Sequence, residues 1–280
     1  MPIDLKKARD FVYSNGVLWE RALFAYHFED SPLEHLHRCL LAYKNADNGF
    51  GHAFEHDIRC PDSHPAALEF LLTVLVENEV PPGNLLAGTP QWLEQQQQED
   101  GSLQNPAALL DYPHMPWWGE WGGQKQPSSI VGNLTKLGLV TSKLAETTHR
   151  WVDQNLSLAA IGNTDWLFMN YHAYDYFMNV DDFPEVEQYR QATIANIIAC
   201  AEKAPAKQYY GLFRFAPTPD SAVAQTAPPG LINRYLDHLE AEQQEDGGWR
   251  DEHGLAHWYP YVTITTLLAL RHYGRLAKAS

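Results

Sequence analysis

One short segment concentrates the side chains that most often transfer protons. Residues 51–65 read GHAFEHDIRCPDSHP, which places acids, histidines and an arginine directly before an apolar run. Carboxylates and imidazoles donate and accept protons, and an arginine favours the ionised form of a neighbouring carboxylate. We therefore predict acid/base chemistry in this loop. The predicted catalytic residues are Asp57, Asp62, Glu55 and His56, and the predicted substrate-binding residues of the loop are His52 and Arg59.

A structural role competes with catalysis at Asp62. Asp62 and Ser63 stand just before the apolar run, where an aspartate commonly caps a helix by accepting a backbone N–H. Such a cap needs a single acid, whereas the segment brings several ionisable side chains together. Capping and catalysis both stay open for this residue.

Aromatic residues form a second group of candidates. The segments MPWWGEWGG (115–123) and DWLFMNYHAYDYF (165–177) mix rings with polar side chains, as does the segment around residue 258. Aromatic faces hold carbocations by cation–π attraction and also stack on sugar rings, although aromatics at helical spacing are typical of a core. The remaining predicted substrate-binding residues are Trp117, Trp118, Tyr171, His172, Asp175, His257 and Trp258.

A recurring turn indicates the elements that position these residues. Three segments end a helical pattern with an acid and a Gly-containing turn, then continue with one large apolar residue. Their aspartates are Asp47, Asp100 and Asp246, which fits a repeat of roughly 49 residues with two degenerate copies in between. Apolar periodicity before and after the turns predicts an outer, half-exposed helix followed by an inner, buried one. The chain is predicted to be all-α and to form a single domain over residues 1–280.

Composition restricts the classes of partner. The chain has 280 residues, 45% of them hydrophobic, and a formal net charge of -15. This charge repels phosphate backbones and anionic lipids, so we expect no binding to nucleic acids or membrane surfaces. No apolar run approaches membrane-spanning length, so we expect no membrane insertion. The N-terminal segment lacks the apolar stretch of a signal peptide, and the 3 cysteines are widely spaced. We expect a cytoplasmic protein with a small-molecule ligand; the oligomeric state stays open.

The repeated turn resembles a motif of known families. Gln243, Asp246, Gly247 and Trp249 match the Gln-x-x-Asp-Gly-x-Trp repeat of triterpene cyclases and of protein prenyltransferase β-subunits. The segment from residue 48 to 71 is also similar to a bacterial group of stand-alone toroid proteins, which suggests a fold and no activity. The resemblance implies an α/α toroid of about five to six helical hairpins around a central cavity.

The catalytic motifs of these families are incomplete here. Class II cyclases carry Asp-x-Asp-Asp-Thr before an inner helix, and aligning Asp62-Ser63 with its end puts Arg59 and Pro61 at the positions of the other acids. Prenyltransferases hold zinc with Asp, Cys and His, and His257 matches only the last of these. We therefore predict no metal and no cofactor.

Three functions remain open from the sequence. The first is a cyclase-like or isomerase-like enzyme that binds a small, largely apolar substrate in the cavity and uses the carboxylate–histidine loop for acid/base chemistry. The second is a carbohydrate-active hydrolase or lyase with paired carboxylates. The third is a toroid that binds a ligand without catalysis.

Overall fold

The architecture is helical throughout the described residues. A computed structural model describes residues 3–121 and 124–276, without the side chains of residues 120, 121 and 124. Over these ranges α-helices are joined by turns and short 3-10 segments, with one antiparallel pair of two-residue strands. The predicted all-α class is confirmed. In the same ranges no helix has both the length and the apolar character needed to cross a membrane.

Long connections precede α4 and α15, whereas most other helices follow one another more closely. The first part of the chain contains α1 (Leu5–Asn15), α2 (Leu18–Phe28), α3 (Leu33–Leu41), α4 (Pro65–Glu77), α5 (Thr89–Gln96), β1 (Leu103–Gln104), α6 (Pro116–Trp121), β2 (Gln124–Lys125) and α7 (Ser128–Lys136). The second part contains α8 (Ser142–Asn155), α9 (Leu158–Gly162), α10 (Tyr171–Phe177), α11 (Val186–Lys203), α12 (Tyr209–Phe215), α13 (Ala222–Thr226), α14 (Leu231–Ala241) and α15 (Tyr259–His272). Short 3-10 turns precede α10, α12 and α15.

The chain divides into two compact units. The first unit comprises Met1–Cys39, Asp165–Phe168 and Ile194–Ser280, and the second comprises Leu40–Thr164 and Met169–Thr193. The first unit is therefore built from the two ends of the chain. The prediction of a single domain stays a prediction.

The repeated turn has the same geometry at all three predicted places. An aspartate Oδ1 accepts the N–H two residues later, at 2.9 Å for Asp47, 2.9 Å for Asp100 and 3.1 Å for Asp246. The residue between them has a left-handed φ of 73° at Asn48, 89° at Gly101 and 92° at Gly247. Asn and Gly tolerate this conformation best, which explains the sequence of the turn.

The turns pack against a helix of another hairpin in the same unit. A Cβ added at Gly101 would lie 2.8 Å from the carbonyl oxygen of Thr147 in α8, and Gln97 accepts the Thr147 hydroxyl at 2.5 Å. At the last turn, a Cβ on Gly247 would lie 2.3 Å from the carbonyl carbon of Lys7 in α1. The glycine thus allows contact with the helix, and the glutamine fixes that contact.

Within the second unit, three helices are linked by direct contacts. Helix α7 contacts both α4 and α10. Helix α4 is buried on all sides from Pro65 to Leu75, as its almost wholly apolar sequence predicts. Gly132 of α7 permits close approach to α10, because a Cβ there would lie 2.1 Å from the carbonyl oxygen of Asp175.

Within the first unit, α15 contacts α1, α2, α12 and α14. Its Thr and Val content favours a strand, yet it is a helix as its place in the repeat predicts. Trp249 of the preceding turn is fully buried and donates its indole N–H to the Leu239 carbonyl at 2.9 Å. Its backbone N–H donates to the Thr263 hydroxyl oxygen at 3.0 Å. The turn, α14 and α15 therefore form one packed hairpin.

Candidate functional site

The acidic loop is a closed, hydrogen-bonded structure in the second unit. The N–H groups of His52 and Ala53 donate to the carbonyls of Pro61 and Cys60, at 3.2 and 3.3 Å. His52 and Ala53 both have left-handed φ values, 55° and 60°, which L side chains adopt at a cost. Two strained residues in succession turn the chain back so that residues 54–58 enter the interior.

Gly51 makes this closure possible. A Cβ at Gly51 would lie 2.3 Å from the carbonyl oxygen of Asp62 and 2.4 Å from that of Pro61. These distances are far below contact distance, and backbone atoms cannot move aside as a flexible side chain can. Only glycine fits where the two ends of the loop cross.

The buried part of the loop carries two adjacent carboxyl groups. Glu55 and Asp57 are only 7% and 9% exposed. The N–H of Asp57 donates to Oε2 of Glu55 at 2.9 Å, which fixes the Glu55 side chain against its own turn. The turn is held from outside, because Arg59 N–H donates to the Pro113 carbonyl and Met115 N–H donates to the Asp57 carbonyl, both at 2.9 Å.

The surroundings of Glu55 favour its protonated form. Burial is the largest cause that raises the pKa of Glu55 well above its ordinary value of 4.5, and the negative charges of Asp57 and Glu69 act in the same direction. The Asp57 N–H and the positive charge of Lys125 oppose this shift and do not reverse it. Glu55 therefore keeps its proton to a higher pH than an ordinary glutamate.

An ion pair lies beside these carboxyl groups. The Lys125 ammonium is 2.5 Å from Oε2 of Glu69 and donates to the Tyr171 hydroxyl at 3.1 Å. The Tyr171 hydroxyl in turn donates to Oε2 of Glu69 at 3.3 Å. Burial lowers the pKa of Lys125, but the charge of Glu69 and the hydrogen bonds raise it further than burial lowers it. Lys125 therefore remains charged.

Four elements bring this cluster together. Lys125 lies on β2, where it pairs with Leu103 of β1, and α7 begins three residues later. Glu69 lies in the second turn of α4, and Tyr171 is the first residue of α10. The cluster thus gathers side chains near the N-terminal ends of α4, α7 and α10, with Glu55 and Asp57 added by the loop before α4.

Glu69 and Lys125 are not among the residues predicted from the sequence. Glu69 is the single acid inside the apolar run AALEFLLTVLV of α4, and an acid in a helix buried on all sides needs a partner. That isolated charge was a usable signal. Lys125 gives no local signal, because it stands in a short polar segment whose strand pairing involves only two residues.

Several predicted residues lie apart from the buried cluster. His52, Arg59 and Asp62 are exposed. The Nε2 atom of His52 is 2.7 Å from Oδ1 of Asn45. Of the two roles left open for Asp62, the capping role belongs to His64, which is the N-cap of α4 and whose Nδ1 accepts the Ala67 N–H at 3.1 Å. Burial lowers the pKa of His64 to about 4, which keeps the ring neutral for this role.

The other predicted residues of the second unit have identifiable packing contacts. Asp175 is buried and accepts the Ser129 hydroxyl at 2.6 Å and the Asn133 amide at 3.2 Å, which joins α10 to α7. The His172 and Tyr171 ring centroids are 3.9 Å apart. His56 is buried with its ring centroid 5.7 Å from that of Phe70.

The predicted tryptophans lie in both units. Trp117 and Trp118 are half-buried in the second unit. Trp118 packs against the cluster of Ile58, Cys60, Ala66 and Leu109. His257 and Trp258 belong to the first unit, with ring centroids 6.1 Å apart. Their predicted role in substrate binding stays a prediction.

Within residues 3–121 and 124–276, no group of three His, Cys, Asp or Glu side chains is placed to hold a metal ion. The Glu69 carboxylate of the cluster instead contacts Lys125 and Tyr171. The prediction that no metal or cofactor is bound stays a prediction.

Comparison with known proteins does not identify a family. No model of a protein family matches this chain, and no protein of curated function matches it.

Proposed function

We propose that this protein is an enzyme that transfers a proton to a small molecule, with Glu55 as the general acid. The observation that carries this proposal is the buried Glu55 carboxyl group, whose pKa burial and Asp57 raise well above 4.5. Catalytic acids must hold a proton near the working pH, and an exposed glutamate does not. A protonated carboxyl group fixed by a backbone N–H is such an acid.

Asp57 is the partner of Glu55 in this proposal. When Glu55 has given up its proton, its negative charge faces that of Asp57. This repulsion favours the uptake of a new proton by Glu55, which regenerates the acid. The positive charge of Lys125 lowers the cost of that ionised state, although Lys125 is itself paired with Glu69, whose negative charge acts in the opposite direction. Asp62 is left out of the proposed mechanism because its side chain is exposed.

We further propose that the helices form the α/α toroid that the sequence resembles, the class of the terpenoid cyclases and prenyltransferase β-subunits. Two observations support it. In the second unit, α7 lies between the inner helices α4 and α10. In the first unit, α15 contacts both α12 and α2, so the last inner helix meets the first one, as ring closure requires. In this class a small, largely apolar substrate enters the central cavity.

A second function is favoured by one observation. The carboxyl groups occur together with a lysine and a tyrosine that donate hydrogen bonds, and a polyhydroxylated substrate needs such mixed donors and acceptors. A carbohydrate-active hydrolase or lyase also works with two carboxyl groups, one protonated and one ionised. Glu55, whose pKa is raised, fits the protonated member of such a pair.

The experiment does not require a known substrate. Purified protein is incubated in D2O with lipid-soluble and water-soluble extracts of the producing cells, and mass spectrometry follows deuterium uptake and product formation. We expect a molecule that changes with the wild type and changes at least about a hundredfold more slowly with Glu55→Gln. Gln can still accept the Asp57 N–H, so the fold should be kept.

Glu99→Gln is the matched control, because Glu99 is an exposed glutamate in the turn before β1. Deuterium uptake in the lipid-soluble extract supports the apolar substrate, whereas cleavage products in the water-soluble extract support the carbohydrate enzyme. A molecule that co-purifies with the protein and is not changed by it would support ligand binding without catalysis. Equal turnover by Glu55→Gln and wild type would refute Glu55 as the acid.

A further inference from the structure

The N-terminus of α7 is buried and has no side-chain cap. Pro127 is the N-cap residue of this helix and makes no side-chain cap hydrogen bond. Ser128, Ser129 and Ile130 are 0% exposed. The first hydrogen bond of the helix runs from Val131 N–H to the Pro127 carbonyl, and the N–H groups of the three residues before Val131 find no acceptor in the described part of the chain. Buried N–H groups at a helix start require a partner.

The hydroxyl of Ser128 is a further group at the start of α7 that requires a hydrogen-bond partner. It is completely buried, and no hydrogen-bond partner for its Oγ exists among residues 3–121 and 124–276. Ser128 is the first residue of α7, and side chains on a helix lean toward its N-terminus. A hydroxyl and adjacent N–H groups therefore converge at one helix end, where the helix dipole favours negative charge.

Lys125 adds a positive charge at this end of the helix. Its ammonium has three N–H donors, of which Glu69 and Tyr171 take two. The third donor has no acceptor in the part of the chain that the structure describes. Tyr171 begins α10, and Ser129 in the first turn of α7 donates to Asp175 one turn further along α10. The start of α7 and the Lys125 ammonium thus lie toward the same end of the α7–α10 pair.

We propose that the N-terminus of α7, with Ser128 and Lys125, binds a carboxylate group of a small-molecule ligand. A carboxylate offers oxygen acceptors to the N–H groups, the Ser128 hydroxyl and the third Lys125 donor. A group with one negative charge fits better than a phosphate, because Glu69 and Asp57 repel each additional charge. This assignment rests on the proposed function. If both hold, the substrate is a largely apolar carboxylic acid whose carboxylate binds at α7 and whose other end faces Glu55.

The probe is hexanoate, which is a carboxylate on an apolar chain. It is titrated into 15N-labelled protein while the backbone amide signals of Ser128 and Ser129 are followed by NMR. We expect saturable shifts of these two signals, and about tenfold weaker binding for Ser128→Ala, because one hydrogen bond to a charged group is lost. The thermal midpoint of Ser128→Ala should not fall, since the change removes a buried hydroxyl that has no partner.

Ser142→Ala is the matched control. Ser142 is also the first residue of its helix, but it is exposed and its helix is capped by Thr141. Its hexanoate affinity should equal that of the wild type. Lys125→Met should weaken hexanoate binding at least tenfold. Because this change leaves Glu69 without its partner, the double variant Glu69→Gln with Lys125→Met is tested as well and should show the same weakening.

Three outcomes would overturn the proposal. Hexanoate that leaves the Ser128 and Ser129 amide signals unchanged shows that these N–H groups bind no carboxylate. Equal affinity of wild type and Ser128→Ala removes the hydroxyl from the site. Inorganic phosphate that binds as tightly as hexanoate contradicts the preference for one charge. Glu55→Gln should bind hexanoate as the wild type does, so a failure of the proposed acid catalysis leaves this test intact.

Discussion

The raised pKa of Glu55 predicts how the stability of the protein depends on pH. In the unfolded chain Glu55 ionises near 4.5, and in the folded protein it holds its proton to a higher pH. Between these two pKa values the folded state binds one proton more than the unfolded state. The free energy of unfolding therefore falls as pH rises, and the contribution of Glu55 is fully present only below the unfolded pKa.

The magnitude follows from the proton count. One extra proton in the folded state changes the free energy of unfolding by about 1.4 kcal/mol for each pH unit inside this window. Gln at position 55 has no titrating proton and still accepts the Asp57 N–H. Glu55→Gln should therefore gain stability relative to the wild type by about 1.4 kcal/mol per pH unit from just above pH 4.5 upward, until the folded pKa is reached.

The assay is urea unfolding of both proteins at intervals of half a pH unit from 4.5 to 8, with Glu99→Gln as the exposed control. The difference in free energy between Glu55→Gln and wild type is plotted against pH, so that all other titrating groups cancel. A sloping line that levels off at the folded pKa is expected, and the control should give a flat line. A flat line for Glu55→Gln as well would show that the Glu55 pKa is ordinary, and the acid role would lose its basis.

Three further changes test the backbone and the repeated turn. Ala53→Gly should stabilise the protein by about 0.5–1 kcal/mol in thermal unfolding, because Ala53 has a φ of 60° that glycine adopts freely; a loss of stability would show that the loop is not strained there. Gly247→Ala should destabilise by about 2–4 kcal/mol, since its φ is 92° and the new Cβ would meet the Lys7 backbone at 2.3 Å; an unchanged melting temperature would contradict this contact. Gln243→Met should cost about 1–3 kcal/mol and speed amide exchange in α1, because the amide of Gln243 bonds both the N–H and the carbonyl of Asp4, at 2.8 and 3.0 Å; unaltered exchange would show that this contact does not hold α1.

The fold was largely readable from the sequence because its signals are local. The turns at Asp100 and Asp246 are recognisable in the sequence by the glycine and the acid before it. In the structure both turns contain the same hydrogen bond from the aspartate to the N–H two residues later. Helix α15 was harder, because Thr and Val favour strands, and only the repeat context indicated a helix. The packing of neighbours decided its conformation.

The candidate site was only partly readable. Glu55 and Asp57 were found because they are close in sequence, but Asp62 was grouped with them although the loop crosses at Gly51 and leaves it exposed. No local pattern reports such a crossing. Lys125 and Glu69 are distant in sequence, and their 2.5 Å contact depends on how α4 packs beside α7. Long-range pairing of this kind is set by tertiary structure.

The segments that form the first unit are synthesised at widely separated times. Asp4 pairs with Gln243 across 239 residues, so α1 leaves the ribosome long before the turn that holds it exists. At a translation rate of about 5–20 residues per second, the wait is roughly 10–50 seconds. Throughout that time Phe11 and Val12, which are buried in the finished protein, have no α15 to pack against. The second unit ends at Thr193, so all of its residues leave the ribosome before α14 and α15 of the first unit are made, and α1 meets its partners only after the second unit has been synthesised.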